Sequence, residues 1–190
     1  MRIVAGKHKG RALLAPKGRD TRPTSDRTRG ALFNILEHGI SGFSLRGCHV
    51  LDVFAGTGAL GLEALSRGAE TATFMEQGRN ALTVLGENIT ALRVESQSTI
   101  LRTDATRPTA TSRTCDLVFL DPPYGKRLIP KALKALSNKG WIAPGAVIVA
   151  ETASKETDPL PDGFTQLDER IYGAAKILFA ICDISETEKT

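Results

Sequence analysis

Apolar positions along this chain recur with two periods, and the period switches repeatedly from residue 48 onward. Runs at 49–54, 71–76, 98–101, 117–120 and 146–150 are short, apolar and rich in branched or aromatic residues, which predicts buried strands. The stretches between them have helical spacing. Residues 60–66 are closed by Gly68, 79–92 place Leu82, Leu85, Ile89 and Leu92 on one face, and 128–136 carry Pro130 in the first turn, where proline is tolerated. Runs at 164–171 and 176–181 flank Tyr172-Gly173 and predict a final strand pair. Strands alternating with helices predict an α/β doubly wound domain, a mostly parallel Rossmann-like sheet with helices on both faces.

The first 47 residues follow a different pattern. Runs at 2–5 and 11–15 bracket Gly6-Lys7-His8-Lys9-Gly10, which predicts a β-hairpin with Lys7, His8 and Lys9 turned to solvent. An extended basic linker follows to Pro23. Ser25 is placed to cap a helix whose apolar positions are Ala31, Leu32, Ile35 and Leu36. The expected division is a hairpin and linker over 1–23, one domain over 24–184 and a polar tail over 185–190.

Composition narrows the class. The chain has 190 residues, 41% apolar and 24% charged, an ordinary globular balance. No apolar run approaches the roughly 20 residues of a membrane helix, and the N-terminus lacks a signal-peptide core. Cys48, Cys115 and Cys182 are scattered within or beside apolar runs, as core thiols in a reducing cytosol would be, with neither disulfide nor metal-site spacing. Charge is uneven. Residues 1–30 hold nine Lys or Arg against two acids, a balance of +7, while the remainder carries −3. A solvated face would carry such charges too, but a basic arm on a mildly acidic body also suits a polyanion.

Two segments carry candidate chemistry. Gly56-Thr57-Gly58-Ala59-Leu60-Gly61 follows a strand and enters a helix, and Glu76 stands 20 residues after Gly56, at the end of the next strand. That spacing alone fits a dinucleotide site. Asp52, four residues before Gly56, argues otherwise: a carboxylate beneath the turn repels a pyrophosphate but suits a cationic amine. S-adenosylmethionine satisfies both acids, with its ribose at Glu76, its methionine end at the turn and Asp52, and its adenine near Asp104. The second segment is Asp121-Pro122-Pro123-Tyr124, which ends an apolar strand on two prolines that cannot extend a ladder. A nucleobase amine is a poor nucleophile, because its lone pair is delocalised into the ring. Acceptors around its N–H groups favour the pyramidal form that attacks. The Asp121 carboxylate and Pro122 carbonyl would supply them on a stiff backbone, and Tyr124 would stack on the base. The base would have to turn out of any helix to reach the site. An adenine-N6 methyltransferase, a non-catalytic RNA-binding factor of the same fold and, more distantly, a nicotinamide oxidoreductase are the alternatives.

The chain resembles the RsmD-type 16S rRNA guanine-N2 methyltransferases, of the class I S-adenosylmethionine-dependent fold, over nearly its whole length. The resemblance lies in Arg2 to Gly6 with Lys9-Gly10-Arg11, in Arg22-Pro23-Thr24-Ser25-Asp26-Arg27 running into residues 31–36, in 51–64, and in Asp121 to Tyr124. Relatives usually carry Glu where this chain has Gly30, and a polar pair where it has Ala174-Ala175. The resemblance implies a seven-stranded sheet with its last strand antiparallel. It implies a cofactor site over Asp52, Phe54, Ala55, Gly56, Thr57, Gly58, Glu76, Gln77, Asp104 and Ala105, and a base pocket over Asp121, Pro122, Pro123 and Tyr124. It also implies rRNA contacts from Lys7, His8, Lys9, Arg11, Arg22, Arg27 and Arg29. The expected partner is 16S rRNA in a partly assembled 30S subunit, with a cytoplasmic, metal-free, monomeric enzyme acting on it.

Overall fold

The computed structural model describes residues 1–15, 25–156 and 160–184. Its centre is a seven-stranded sheet of β1 (His49–Val53), β2 (Thr71–Glu76), β3 (Ser98–Arg102), β4 (Cys115–Leu120), β5 (Ile142–Ala153), β6 (Phe164–Tyr172) and β7 (Ala175–Cys182), in the order β3-β2-β1-β4-β5-β7-β6. β1 to β5 pair in parallel, and β7 runs antiparallel to both β5 and β6. The helices are α1 (Asp26–His38), α2 (Ala59–Ser66), α3 (Arg79–Leu92) and α4 (Leu128–Asn138). This is the doubly wound, Rossmann-like architecture that the alternating pattern predicts, with the antiparallel last strand that the resemblance implies.

Alternation along each strand feeds two cores. Val50, Leu117, Phe119 and Val149 join α2, α3 and α1 on one face, while Leu51, Val118, Leu120 and Ile148 join α4 on the other. Both faces of β1 and β4 are buried, as a central parallel strand requires. The chain reverses direction in the sheet between β1 and β4, and open sheets bind ligands at such a switch point. β5 is longer than the apolar run suggests. Pro144-Gly145 falls where its register against β4 shifts, with Gly145 at φ +75°, so pairing resumes on both sides of the irregularity. Trp141 packs beyond α4, where its Nε1 donates to the Thr109 carbonyl at 2.8 Å, and the three cysteines are buried thiols. No helix among the described residues is long and apolar enough to cross a membrane.

The N-terminal arm turns back on itself over a short antiparallel pairing, without two regular strands. Its limbs meet at the Arg2–Ala12 bridge, with Ile3 N–H donating to the Arg11 carbonyl at 2.9 Å, Gly10 N–H to the Ile3 carbonyl at 2.9 Å and Leu13 N–H to the Met1 carbonyl at 3.0 Å. Other backbone donors of the arm reach α2. The Val4 and Ala5 amides donate to the Glu63 carboxylate on α2 at 2.7 and 2.9 Å, Lys7 N–H donates to the Ser66 carbonyl at 2.7 Å, and His8 N–H donates to Ser66 Oγ at 3.0 Å. The arm is thereby fastened to α2, with Ile3 and Leu13 in the core. At Gly6 (φ +80°) an added Cβ would lie 1.9 Å from the Ser66 carbonyl oxygen, so only glycine permits this approach.

Two predicted RNA contacts are corrected here. Arg29 is fully buried. It shares a helix face with Leu32, Phe33 and Leu36, and its guanidinium pairs with Asp26 at 2.8 Å and Glu63 at 3.6 Å and donates to the Arg2 carbonyl. It is an internal tie and does not reach RNA. His8 is half-buried, with its Nε2 enclosed; burial, then Lys7 and Arg11, hold its pKa below the ordinary value. Lys7, Lys9, Arg11 and Arg27 are exposed as expected. Arg22, the rest of the predicted linker and the 185–190 tail lie outside the described residues. Ser25 caps α1 as predicted, its side chain accepting from Thr28 N–H at 3.1 Å.

Candidate active site

The carboxyl ends of β1 to β4, together with a residue of β5, surround one cavity of about 590 Å³, within the range of small-molecule sites. The chain after β1 supplies Phe54, Ala55, Gly56 and Thr57, with Asp52 inside the strand. β2 supplies Glu76 and then Gln77, and β3 is followed by Thr103 and Ala105 on the wall. β4 runs out into Asp121, Pro122, Pro123 and Tyr124, and β5 contributes Glu151. The two segments singled out in the sequence, 67 residues apart between Phe54 and Asp121, thus open on the same space.

The glycine turn is braced by carboxylates. Phe54 sits at φ +60°, an uncommon conformation for a bulky residue and one associated with functional turns. Glu76 Oε2 accepts Gly56 N–H at 2.8 Å, while its Oε1 accepts Gln77 and Gly78 N–H at 2.8 and 2.7 Å. A turn amide that would face a dinucleotide's phosphate is therefore spent on a carboxylate, which counts against the nicotinamide alternative. Asp52 is buried and its Oδ2 accepts Gly61 N–H at 2.9 Å, tying β1 to α2. Burial pushes its carboxyl up to about 7; the Gly61 hydrogen bond opposes the shift and Glu76 adds to it. Gly58 and Asp104 stand off the wall. Gly58, at φ +76°, is where α2 passes close to Leu85 and Phe74. Asp104 folds its own loop, accepting Thr106 N–H and Oγ1–H at 2.8 Å, and these bonds lower its pKa.

Across the cavity, Asp121 is held well above the usual carboxylate range by burial first, then by Glu151 and Asp52. Tyr124 is 43% exposed while its hydroxyl donates to Glu151 Oε1 at 2.8 Å. Gly125 N–H donates to Glu156 at 2.8 Å, so the residues after β5 also hold this loop. Glu151 was missed in the sequence, although the signal was there: like Asp121, it is a carboxylate ending an apolar strand run. Asn88 was missed as well. Buried on α3, it accepts Leu14 N–H at 2.8 Å and donates to the Leu14 and Thr57 carbonyls at 3.2 and 3.0 Å, joining the arm to the glycine turn.

A wall crowded with Asp52, Glu76, Asp121 and Glu151 favours a ligand bearing positive charge. Comparison with known proteins agrees with that chemistry. The model of the family described as Conserved hypothetical protein 95 matches residues 1–181. The chain is 34% identical over 177 residues to the ribosomal RNA small subunit methyltransferase D of Haemophilus influenzae, covering 91% of this chain and 89% of that protein. It is 35% identical over 175 residues to the protein of the same name from Escherichia coli K12, covering 91% and 85%. The solved structure of the putative methyltransferase yhhF from Escherichia coli superposes with a TM-score of 0.82 at 29% identity, over 96% of this chain and 98% of that one. The chain belongs to the Conserved hypothetical protein 95 family and is a relative of the small-subunit rRNA methyltransferases D.

Proposed function

We propose that this protein transfers a methyl group from S-adenosylmethionine to the exocyclic N2 amine of a guanine in small-subunit rRNA. The observation that carries the reading is the meeting of the Glu76-braced glycine turn and Asp121 to Tyr124 in one cavity at the switch point. The names of the relatives support rRNA as the substrate class. The residues present fit the cofactor. Glu76 and Gln77 suit ribose hydroxyls, Met75 and Ala105 offer apolar surface to the adenine, and Asp52 suits a cationic amino-acid end. Bound there, S-adenosylmethionine supplies an electrophilic methyl on a sulfonium. The chain's own part is electrostatic and positional. The Asp121 carboxylate and Pro122 carbonyl accept from the amine, hold its lone pair toward the donor and stabilise the positive charge that develops on nitrogen. Tyr124 stacks on the base, a contact worth about 1–3 kcal/mol.

Raised carboxyl pKa values give this reading a pH signature. In the free protein Asp52 stays protonated to about pH 7, whereas the unfolded chain ionises it near the ordinary value. The folded state therefore binds more protons across that interval, and the stability this group contributes falls as pH rises from about 4 to about 7. A cationic ligand prefers the ionised carboxylates and releases protons on binding. Affinity for S-adenosylmethionine should rise between pH 6 and 8, with proton release visible by calorimetry in buffers of different ionisation enthalpy. NAD should not bind. Tight NAD binding, or affinity for S-adenosylmethionine that falls over the same interval, would contradict the cofactor reading.

The RNA face is assigned to the arm. Lys7, Lys9 and Arg11 are exposed on one turn, with Arg27 at the start of α1. Reversing the charge of Lys7, Lys9 and Arg11 together should weaken rRNA binding by more than tenfold at low salt and flatten the dependence of log K on log salt by about two to three units. Unchanged affinity would make the arm a bystander.

A further inference from the structure

Glu151 has no part in the reaction as described so far, yet it stands beside the residue that does. Leu120 and Ala150 face each other in the parallel β4–β5 ladder, so Asp121 and Glu151 leave adjacent strands side by side, and both line the cavity. Glu151 is 9% exposed, and its Oε1 accepts the Tyr124 hydroxyl at 2.8 Å. That bond links the orientation of Glu151 to the aromatic ring assigned to stack on the base. The wall thus offers two neighbouring carboxyl groups.

Bases differ at the position beside the amine. Beside its 2-amine, guanine carries N1–H, a donor. Beside its 6-amine, adenine carries N1 with a lone pair, an acceptor. A carboxylate at that place satisfies guanine, but it sets a lone pair against a lone pair on adenine. We infer that Glu151 accepts the N1–H of the target guanine while Asp121 takes its 2-amine, and that this contact selects guanine over adenine. The inference rests on the guanine-N2 reading above. Burial first, and Glu151 beside it second, raise the pKa of Asp121; two adjacent donors from one base edge would favour both carboxylates in the ionised form. Tyr124 serves as a positioning residue through its hydroxyl and as a stacking surface through its ring.

The test uses full-length protein and small-subunit rRNA on which the wild-type methyl has first been mapped. That one base is then supplied, by splinted ligation, either as guanine or as 2-aminopurine, which keeps the 2-amine but presents N1 as an acceptor. Wild type should favour guanine by about 10²-fold or more in kcat/KM, because sites built around a substrate donor strongly reject analogues lacking it. Glu151→Gln, whose amide can donate to N1, should bring the ratio within about tenfold, chiefly through loss on guanine. The ratio compares two substrates on one preparation, so a partly folded variant does not distort it. Tyr124→Phe should move the ratio the same way by a smaller factor. An unchanged ratio in Glu151→Gln, whether or not both rates fall, overturns the assignment. Failure of the underlying reaction would be visible earlier, as a wild-type methyl mapped anywhere other than guanine N2.

Discussion

Asp121→Ala should lower kcat for methyl transfer by about 10²–10³-fold, the range seen when one preorganised electrostatic partner is removed, while S-adenosylhomocysteine binds with an affinity within about threefold of wild type. The split follows from where the carboxyl sits. Asp121 leaves β4 toward the cavity, and its own N–H reaches back to the Val53 carbonyl at 3.4 Å, so removing the side chain leaves the backbone path intact. The turn that suits the cofactor is braced by Glu76 and Asp52, which the substitution does not touch. Asp121→Asn keeps an acceptor oxygen without the charge and should fall between wild type and Ala. Single-turnover rates set beside calorimetry separate these effects. A fully active Ala variant would remove Asp121 from the mechanism, and a variant that loses the cofactor and the rate together would make it a binding residue.

Glu63→Ala should destabilise the protein by about 3–5 kcal/mol, the range for breaking one side of a buried ion pair. Glu63 is fully buried on α2. Its two oxygens accept the Val4 and Ala5 amides, Arg67 Nε approaches at 2.8 Å, and Arg29 Nε lies at 3.6 Å. Removing it takes from Arg29, which has no solvent exposure, a carboxylate it pairs with inside the protein. It also strands two backbone donors that hold the arm to α2. Arg67 would be affected less, because it also pairs with Glu37 at 2.9 Å and lies 4.8 Å from the centre of the Phe33 ring. Urea unfolding should show a lower midpoint, and hydrogen exchange should quicken at Val4, Ala5 and Lys7 before the sheet is affected. A loss below about 1 kcal/mol, the worth of an exposed pair, would mean that the arm docks by its apolar residues alone.

Legibility differed by level. The seven strands and four α-helices of the described residues were readable, because each is marked by local periodicity and most are bounded by Gly or Pro. The site was readable where chemistry sits on a local motif, as at Asp52, Gly56, Glu76 and Asp121. What was not readable depends on contacts between distant segments. Glu63 lies in Leu62-Glu63-Ala64, which looks like one charged position on a helix; nothing nearby announces that the arm brings its amides there. Arg29 was read with Arg27 as part of a basic cluster, although its spacing to Leu32, Phe33 and Leu36 already put it on the apolar face. The turn-back of the arm was legible in its glycines, but its docking on α2 was not, because the Glu63 and Ser66 acceptors lie 58 or 59 residues away. Glu151 is an exception, since the strand-end logic applied to Asp121 would have found it.

The central claim is that this cavity methylates N2 of a guanine in small-subunit rRNA. Purified protein incubated with methyl-labelled S-adenosylmethionine, and with either naked 16S rRNA or a reconstituted 30S particle, tests it most directly once the labelled nucleoside is identified and mapped. The expected result is label in N2-methylguanosine at one position on at least one of the two substrates. Label in N6-methyladenosine, or none on either substrate, would contradict it.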